Sequence, residues 1–302
     1  MAPSDDRYKV LTLNFLSFES RAKNRASALL FTAFIAGHLV ILWAFVRYAF
    51  RSTWDQHLES GIGAILITVL VCHLMMCFGE HFFHRYLLHV ETTRGLRGMT
   101  QSHLAHHKLT GIRFDDAEQK VRSEYAINGI HRDEDSTFPP LALTLFFGFF
   151  TPFFIPIAFS FPRVPILIGG YGALALSHFL YEMLHVAHHQ PHEWWQRRID
   201  GRLLGPLWRK MYGFHQAHHA NYKCNLNIAG FFGIPLADLA FGTYKQPDDL
   251  LVDGAAATKA VARRLTPEPR WPISWLDRVV IKRRRWLSKE DRSAAPGSRR
   301  SR

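Results

Sequence analysis

The chain has 302 residues and carries 37 Lys and Arg against 25 Asp and Glu, which gives a formal net charge of +12. Its mean hydropathy of -0.07 averages very apolar and very polar stretches. A basic chain favours nucleic acid or anionic lipid as a partner, and four long apolar runs favour lipid. Three cysteines without a CxxC pair exclude a disulfide framework.

A polar segment, residues 1–26, precedes the apolar runs and is expected to be cytosolic. Each run has about the 20 residues that a helix needs to cross a bilayer. Pro152 and Pro156 are expected to kink the third run. The predicted spans are 27–48, 61–79, 141–160 and 166–184, within a membrane domain over 27–245 that a polar, basic tail over 246–302 follows.

Histidine is concentrated in four short clusters, which hold 11 of the 18 histidines. Three of these clusters have the pattern HxxHH. On a helix, residues i, i+3 and i+4 share one face, so each HxxHH directs its imidazoles the same way. The clusters are His84 and His89; His103, His106 and His107; His185, His188 and His189; and His215, His218 and His219.

Gathered imidazoles predict metal binding. Protonated rings would repel one another, whereas each neutral ring offers one lone pair to a metal. A nitrogen-only ligand set suits iron, zinc, copper or nickel better than magnesium or calcium. One metal takes about four to six ligands, so ten or eleven histidines predict two metals.

The first cluster poses a geometric problem. His84 and His89 are five residues apart, which places them about 140° apart around a regular helix. If both rings are to face one metal, this segment needs a helix end or a local distortion. The spacing leaves both alternatives open.

The Lys and Arg residues predict the orientation of the spans. The N-terminal segment holds five of them and the segment 85–140 holds eight, while the links at 49–60 and 161–165 hold one each. Because cytosolic segments are enriched in Lys and Arg, both termini and all four clusters are expected on the cytosolic side. A bacterial inner membrane and an endoplasmic reticulum both remain open.

Two further polar stretches carry structural expectations. Residues 115–135 are rich in both charges, and they are interpreted as a solvated loop or a short surface helix. Residues 192–213 mix Trp and Leu with Arg and Lys, a composition typical of helices that lie in the lipid headgroup region.

The four clusters and their flanking residues resemble the fatty acid hydroxylase superfamily, integral-membrane diiron enzymes that include the sterol desaturases. The resemblance covers roughly 60–245, and within it the fatty acid 2-hydroxylase branch looks nearest. The flanking residues that match are Glu80 and Arg85 at the first cluster, Phe138-Pro139-Pro140 after the second, Tyr181, Glu182 and Met183 before the third, and Asp238 with Phe241-Gly242-Thr243 after the fourth.

The chain departs from that branch at three points. Asn225-Leu226-Asn227 stands where relatives often have a Gly-containing run. His188 adds an imidazole where the branch usually has an apolar residue. The fused haem domain of many relatives has no counterpart, so electrons are expected from a separate donor protein, of cytochrome-b, ferredoxin or reductase type.

The resemblance implies an all-α integral membrane protein in which four transmembrane helices carry a cytosolic helical cap with a dimetal site. It implies two non-haem irons, for which zinc can substitute in purified protein, and O₂ as co-substrate for hydroxylation of a lipid acyl chain. Glu182 and Asp238 are expected to orient ligand imidazoles as hydrogen-bond acceptors. The implied ligands are His84, His89, His103, His106, His107, His185, His189, His215, His218 and His219, with His188 as a further candidate.

Two alternatives stay open. The same chemistry could desaturate a lipid, or hydroxylate a sterol, a carotenoid or a lipid headgroup. A metal transporter or a membrane metal-binding protein is a different class. Transport favours ionisable residues at mid-membrane, and only three of the 18 histidines, His38, His73 and His178, lie within the predicted spans.

Overall fold

The structure is a computed structural model that describes residues 21–127, 138, 142–257 and 259–282. The expectations for residues 1–20, for Pro139 and Pro140, and for the end of the basic tail lie outside these residues. The chain divides into two compact units. Unit 1 comprises the described residues of Met1–Cys77, Ile127–His189 and Ala229–Gly233, and unit 2 comprises those of Phe78–Ala126, Gln190–Ile228 and Ile234–Arg302.

Unit 1 is built from long apolar helices. Its core lies where α6 packs against α1, α2 and α5, through side chains such as Phe147, Leu167 and Tyr171. The hydroxyl groups of Thr151 and Tyr171 lie 2.7 Å apart inside this core. The helices are α1 (Arg21–Ala49), α2 (Arg51–Glu59), the greater part of α3 (Gly61–Phe83), α5 (Ala142–Ser160) and α6 (Ile166–His188).

Three helices are long and apolar enough to cross a membrane: Ala28–Ala49, Gly61–Leu88 and Ala142–Ser160. They cover the first three predicted spans, and the third runs through Pro152 and Pro156 as one helix. The fourth predicted span is also helical, as part of α6. However, α6 is largely buried within unit 1 and carries His178 and Glu182, so its composition differs from that of the other three.

Unit 2 is mostly helical and carries the cap elements. Its helices are α4 (Arg97–Leu109), α7 (His192–Ile199), α8 (Gly205–Ala220), α9 (Leu236–Phe241), α10 (Lys259–Arg264) and α11 (residues 273–282). Its core gathers aromatic and aliphatic side chains from these elements around Trp195 and Tyr212.

The chain is mostly helical, but residues 112–123, which include the start of the charged stretch, form a β-hairpin and not the solvated loop or short surface helix expected there. Strand β1 (Ile112–Asp115) pairs antiparallel with β2 (Lys120–Ser123), with Phe114 opposite Val121. Alternation places Ile112 and Val121 in the core of unit 2, while the charged residues between them face outwards. The Asp115 carboxylate accepts hydrogen bonds from the backbone N–H groups of Ala117 and Glu118, which closes the turn.

The segment assigned to a polar tail is folded as far as the structure describes it. Ala255 and Ala257 exchange backbone hydrogen bonds with the hairpin, at Val121 and Gln119. Leu251, Leu265 and Ile273 are almost fully buried. The described part of residues 246–282 therefore belongs to unit 2.

A matched pair of glycines tests the packing of unit 1. A Cβ at Gly169 would lie 2.8 Å from Cβ of Thr68 and 3.1 Å from the Ile65 carbonyl, whereas a Cβ at Gly37 would meet nothing within 4 Å. We expect Gly169→Ala to destabilise the protein by about 1–3 kcal/mol. Gly37→Ala should be neutral or stabilising, by up to about 1 kcal/mol, because alanine is the better helix former. Thermal unfolding in detergent, followed by size-exclusion chromatography, measures both; equal behaviour of the two variants would contradict the packing.

Candidate metal centre

Of the two alternatives for His84 and His89, the structure has a local distortion, a π-helical turn. Helix α3 continues into one π-turn, His84–Leu88, and the His89 N–H donates to the His84 carbonyl at 3.2 Å. This i to i+5 bond brings the two side chains to the same side of the chain, and their rings stack 5.0 Å apart at 15°. The irregular turn therefore solves the geometric problem of the first cluster.

Side chains from nearby segments satisfy carbonyl groups of the π-turn. The Thr100 hydroxyl donates to the Leu87 carbonyl at 2.7 Å, and the Thr92 hydroxyl donates to the Tyr86 carbonyl at 3.1 Å. A buried carbonyl without a partner is costly, so these two threonines stabilise the irregular geometry.

An ion pair with Asp277, a residue of α11, also stabilises the π-turn. The Arg85 guanidinium donates two hydrogen bonds to the two oxygens of Asp277, at 2.8 and 2.7 Å, and a third to the Lys223 carbonyl. The Tyr86 hydroxyl also donates to Asp277, at 2.9 Å. Burial alone would raise the pKa of Asp277, but the guanidinium lowers it below its usual range. Helix α11 is thus fastened to the turn that carries two candidate ligands.

Five imidazoles from three of the four clusters converge within unit 2. One ring nitrogen of each lies within 4.8 Å of all the others. The Nε2 atom of His103 is 3.0 Å from that of His84, 3.3 Å from that of His89 and 3.1 Å from that of His107. The five-histidine cluster consists of His84, His89, His103, His107 and His218.

Backbone carbonyls determine which nitrogen of two of these rings carries the proton. His84 Nδ1 lies 2.7 Å from the Leu226 carbonyl, and His218 Nδ1 lies 2.8 Å from the Cys224 carbonyl. A carbonyl can only accept, so each Nδ1 must donate. In the neutral ring, each Nε2 then presents its lone pair to the cluster.

The nitrogen spacing fits a transition metal. Bonds from zinc to imidazole nitrogen are about 2.0–2.1 Å, so two ligands at angles between about 90° and 110° lie about 2.9–3.4 Å apart. The Nε2 separations, 3.0–3.3 Å, fall in that range. Three Nε2 atoms surround His103 Nε2, and a single ring proton cannot form a hydrogen bond with each of them. A metal cation that all four nitrogens bind accounts for their closeness. The residues present therefore fit a metal ion.

Burial favours the neutral form of two of these rings. Loss of solvent, followed by repulsion from neighbouring imidazoles, lowers the pKa of His89 and of His107 well below the usual value. Neutral imidazole is the form that binds a metal. Tyr222, which is half exposed, stacks on the His89 ring at 5.1 Å and lies between it and solvent.

Unit 2 also places the other histidines of the second and fourth clusters together. His219 Nε2 lies 3.2 Å from His215 Nε2, and the rings of His106 and His219 are 5.1 Å apart. His219 Nδ1 donates to Thr110, whose carbonyl is 3.1 Å away. As in His84 and His218, this bond directs the Nε2 lone pair towards neighbouring imidazoles.

The third histidine cluster lies in unit 1, at the end of α6. The rings of His185 and His189 lie 4.9 Å apart, and both side chains are buried. The Ile127 N–H donates to the His189 carbonyl and holds that helix end. His188 is buried too, but it is not a member of the five-histidine cluster.

Asp238 orients a candidate ligand only indirectly, which differs from the direct contact expected. Its carboxylate accepts hydrogen bonds from the N–H groups of Leu226 and Asn227 and from the Thr243 hydroxyl. Burial raises the pKa of Asp238, and these donors counteract that rise. Since the Leu226 carbonyl receives the His84 Nδ1–H, the carboxylate fixes the loop that positions His84.

The two asparagines that replace the Gly-containing run have structural roles. Asn225 adopts a left-handed φ of 55° and donates to the carbonyls of Phe214 and Lys245. The Asn227 side-chain oxygen accepts from the N–H groups of Ala237 and Asp238, at the first turn of α9. Together they close the loop that presents the Leu226 carbonyl.

Glu182 also differs from its expected role. It is buried within unit 1, and one of its oxygens accepts the Phe138 N–H at 2.9 Å. Its other oxygen has no hydrogen-bond partner among the residues that the structure describes. Phe138 packs on the Tyr181 ring, so Glu182 fixes this aromatic pair.

Several residues that position the five-histidine cluster belong to no sequence motif and could not be predicted from one. The Leu226 and Cys224 carbonyls are backbone atoms, for which the sequence carries no signal. Asp277 lies about 190 residues from its partner, as an acid within a basic segment. Only the threonines, placed near the first two clusters, could have been suggested by their proximity in sequence.

No family model, no curated protein and no solved structure matches this chain. The superfamily resemblance therefore depends on the four clusters and their flanking residues.

The Arg85–Asp277 contact predicts a change in metal affinity. We expect Asp277→Asn to weaken metal binding by the five-histidine cluster, because loss of the ion pair with Arg85 loosens the π-turn that carries His84 and His89. Asp249→Asn is the matched control, since Asp249 pairs with Arg209 at the surface of unit 2. Competition with a chromophoric chelator measures both; an unchanged affinity in Asp277→Asn would contradict the positioning role.

The cluster itself predicts metal loss on removal of its central ring. His103→Ala should lower the metal bound per chain, because His103 Nε2 is the atom that three other imidazoles surround. His192→Ala serves as the control, since His192 stacks on Tyr212 outside the cluster. Inductively coupled plasma mass spectrometry of the purified variants gives the metal content, and equal content in both would refute the assignment.

Proposed function

We propose that this chain is a membrane-bound, O₂-dependent diiron oxygenase that hydroxylates a C–H bond of a lipid acyl chain. The observation that supports it most is the five-histidine cluster, buried at the end of a helix apolar enough to cross a membrane. The order of the four histidine clusters along the chain agrees with the superfamily named above.

Two irons are proposed, held by all ten histidines that the resemblance implies. His84, His89, His103, His107 and His218 hold one of them. When bound, the irons supply the O₂ activation and the hydrogen abstraction that amino-acid side chains alone cannot supply.

The protein's own residues supply geometry and a dry environment. The Leu226 and Cys224 carbonyls hold the rings of His84 and His218 with their lone pairs directed inwards. Burial lowers the pKa of His89 and of His107, which favours the neutral form that binds a metal. Exclusion of water also protects a reactive centre from side reactions.

A lipid substrate agrees with the position of the first cluster. His84 lies within the apolar helix Gly61–Leu88, so one candidate ligand belongs to a segment that can itself reach the bilayer. A dry slot next to such a helix could admit an acyl chain directly from the lipid. The proposal therefore favours an acyl C–H over a soluble substrate.

The proposed topology follows the Lys and Arg distribution. Four spans, with α6 as the fourth, would leave both termini and the metal centre in the cytosol of an integral, multi-pass protein. A separate electron donor, of cytochrome-b, ferredoxin or reductase type, would then reach the centre from the cytosol.

Metal transport is the weaker candidate. A transport route favours ionisable residues at mid-membrane, and five candidate ligands instead gather in unit 2, at the end of a span. Backbone carbonyls that fix the tautomers also favour a permanent centre over a transient binding site.

Comparative lipid analysis tests the reaction. Expression of the wild type in a host that lacks such activity should yield a lipid heavier by one oxygen atom, because hydroxylation inserts oxygen into a C–H bond. The variant His106→Ala with His107→Ala should not form it, and His192→Ala should. Liquid chromatography with mass spectrometry of total lipid extracts identifies the product and its carbon position.

The other outcomes are equally informative. A lipid lighter by two hydrogen atoms would replace hydroxylation by desaturation. If iron-loaded wild-type protein, supplied with a reductant and O₂, changes no lipid of a broad panel, the oxygenase proposal fails. Metal content is measured in parallel, so that a failure to load metal is distinguished from a failure of the chemistry.

A further inference from the structure

Helix α11 has two different faces. At 100° per residue, Trp275, Arg278, Val279 and Lys282 lie on one side, and all four are exposed. Ile273 lies on the opposite side and is fully buried, and Asp277 on that side binds Arg85. The helix is therefore docked by one face only.

The exposed face is apolar and basic at once. Trp271, just before the helix, is 79% exposed, and Trp275 and Val279 are 50% and 43% exposed. Arg278 and Lys282 lie on the same side and carry positive charge at neutral pH. We call Trp271, Trp275, Arg278, Val279 and Lys282 the outer face.

This composition suits a lipid headgroup region better than a protein partner. Tryptophan is enriched at membrane–water interfaces, where its amphipathic ring sits among the headgroups, and Lys and Arg side chains extend to anionic lipid. Protein interfaces, by contrast, are depleted of Lys in their buried centre. The chain also carries three helices able to cross a bilayer, so its own membrane is an available partner.

The same combination occurs at a second place in unit 2. Leu203, Leu204 and Leu207 are 94%, 54% and 51% exposed, and exposed Arg202 and Lys210 flank them. These residues belong to the stretch for which the sequence predicts a headgroup location. Two surfaces of one unit thus share the composition typical of interfacial helices.

We infer that the outer face of α11 binds the headgroup region of an anionic bilayer. Trp271, Trp275 and Val279 enter the region between headgroups and acyl chains, and Arg278 and Lys282 contact lipid phosphate. The opposite face keeps its contact with Arg85, so a helix held by the membrane surface also fastens the π-turn. This inference does not require the oxygenase proposal, because it concerns a surface and not a reaction.

Site-directed fluorescence in a bilayer tests the inference. The full-length protein, with the substitution Val279→Cys labelled by an NBD fluorophore, is reconstituted in nanodiscs that contain phosphatidylglycerol. Glu118→Cys is the matched control, because Glu118 is exposed in the turn of the β-hairpin. Cys77 and Cys224 are buried and Cys72 is partly buried, and labelling of the wild type gives their background.

We expect a blue-shifted emission at position 279 and several-fold stronger quenching by lipids that carry a nitroxide on the headgroup than at position 118. Arg278→Glu with Lys282→Glu should reduce that quenching, and so should high salt. The inference is wrong if the headgroup nitroxide quenches the probe at position 279 no more than the probe at position 118, and if aqueous iodide quenches both probes equally.

A different partner on the outer face would give a different fluorescence signal. A blue shift that depends on protein concentration, without quenching from lipid, would assign the outer face to a second copy of the chain and reject the lipid proposal. The assay needs neither bound metal nor turnover, so its failure is distinguishable from failure of the oxygenase proposal. Asp277 and Arg85 stay unchanged in every variant, which keeps the docked face intact.

Discussion

The structure of unit 2 depends on one constraint: five imidazole lone pairs must point at the same place. Each neutral ring has one lone pair and one N–H, so an acceptor must lie behind a ring for the lone pair to face forwards. For His84 and His218 that acceptor is a backbone carbonyl, of Leu226 and of Cys224. Residues 224–226 therefore belong to the candidate metal centre, although they contribute no candidate ligand to it.

The same constraint explains why irregular structure is concentrated here. A regular helix cannot direct residues five apart to one side, and the π-turn at His84–Leu88 does so at the expense of regular helical hydrogen bonds. Thr92 and Thr100 satisfy two of the turn's carbonyls, and the Arg85–Asp277 ion pair holds it from another segment. Assembly of empty imidazoles is unfavourable because their lone pairs repel, so metal binding should stabilise the fold as well.

The sequence predicts most of the candidate ligands and little of what holds them. The HxxHH spacing places imidazoles on one helix face, and the five-residue spacing of His84 and His89 predicts a helix end or a distortion there. Asp277 could not be found, because nothing local links it to Arg85 across the chain. The β-hairpin was missed because its charges hid the alternation of Ile112, Phe114 and Val121, and packing in the core of unit 2 determines that alternation.

The departure at Asn225-Leu226-Asn227 has a physical explanation that preserves the centre. A left-handed φ favours glycine, but asparagine tolerates it better than other residues do, and Asn225 has a φ of 55°. Its amide also donates two hydrogen bonds to backbone carbonyls, which glycine could not. What the loop must conserve is therefore the position of the Leu226 carbonyl behind His84. Asn227 and Asp238 secure that position because their side chains accept hydrogen bonds from backbone N–H groups, so the loop holds the carbonyl that orients the His84 ring.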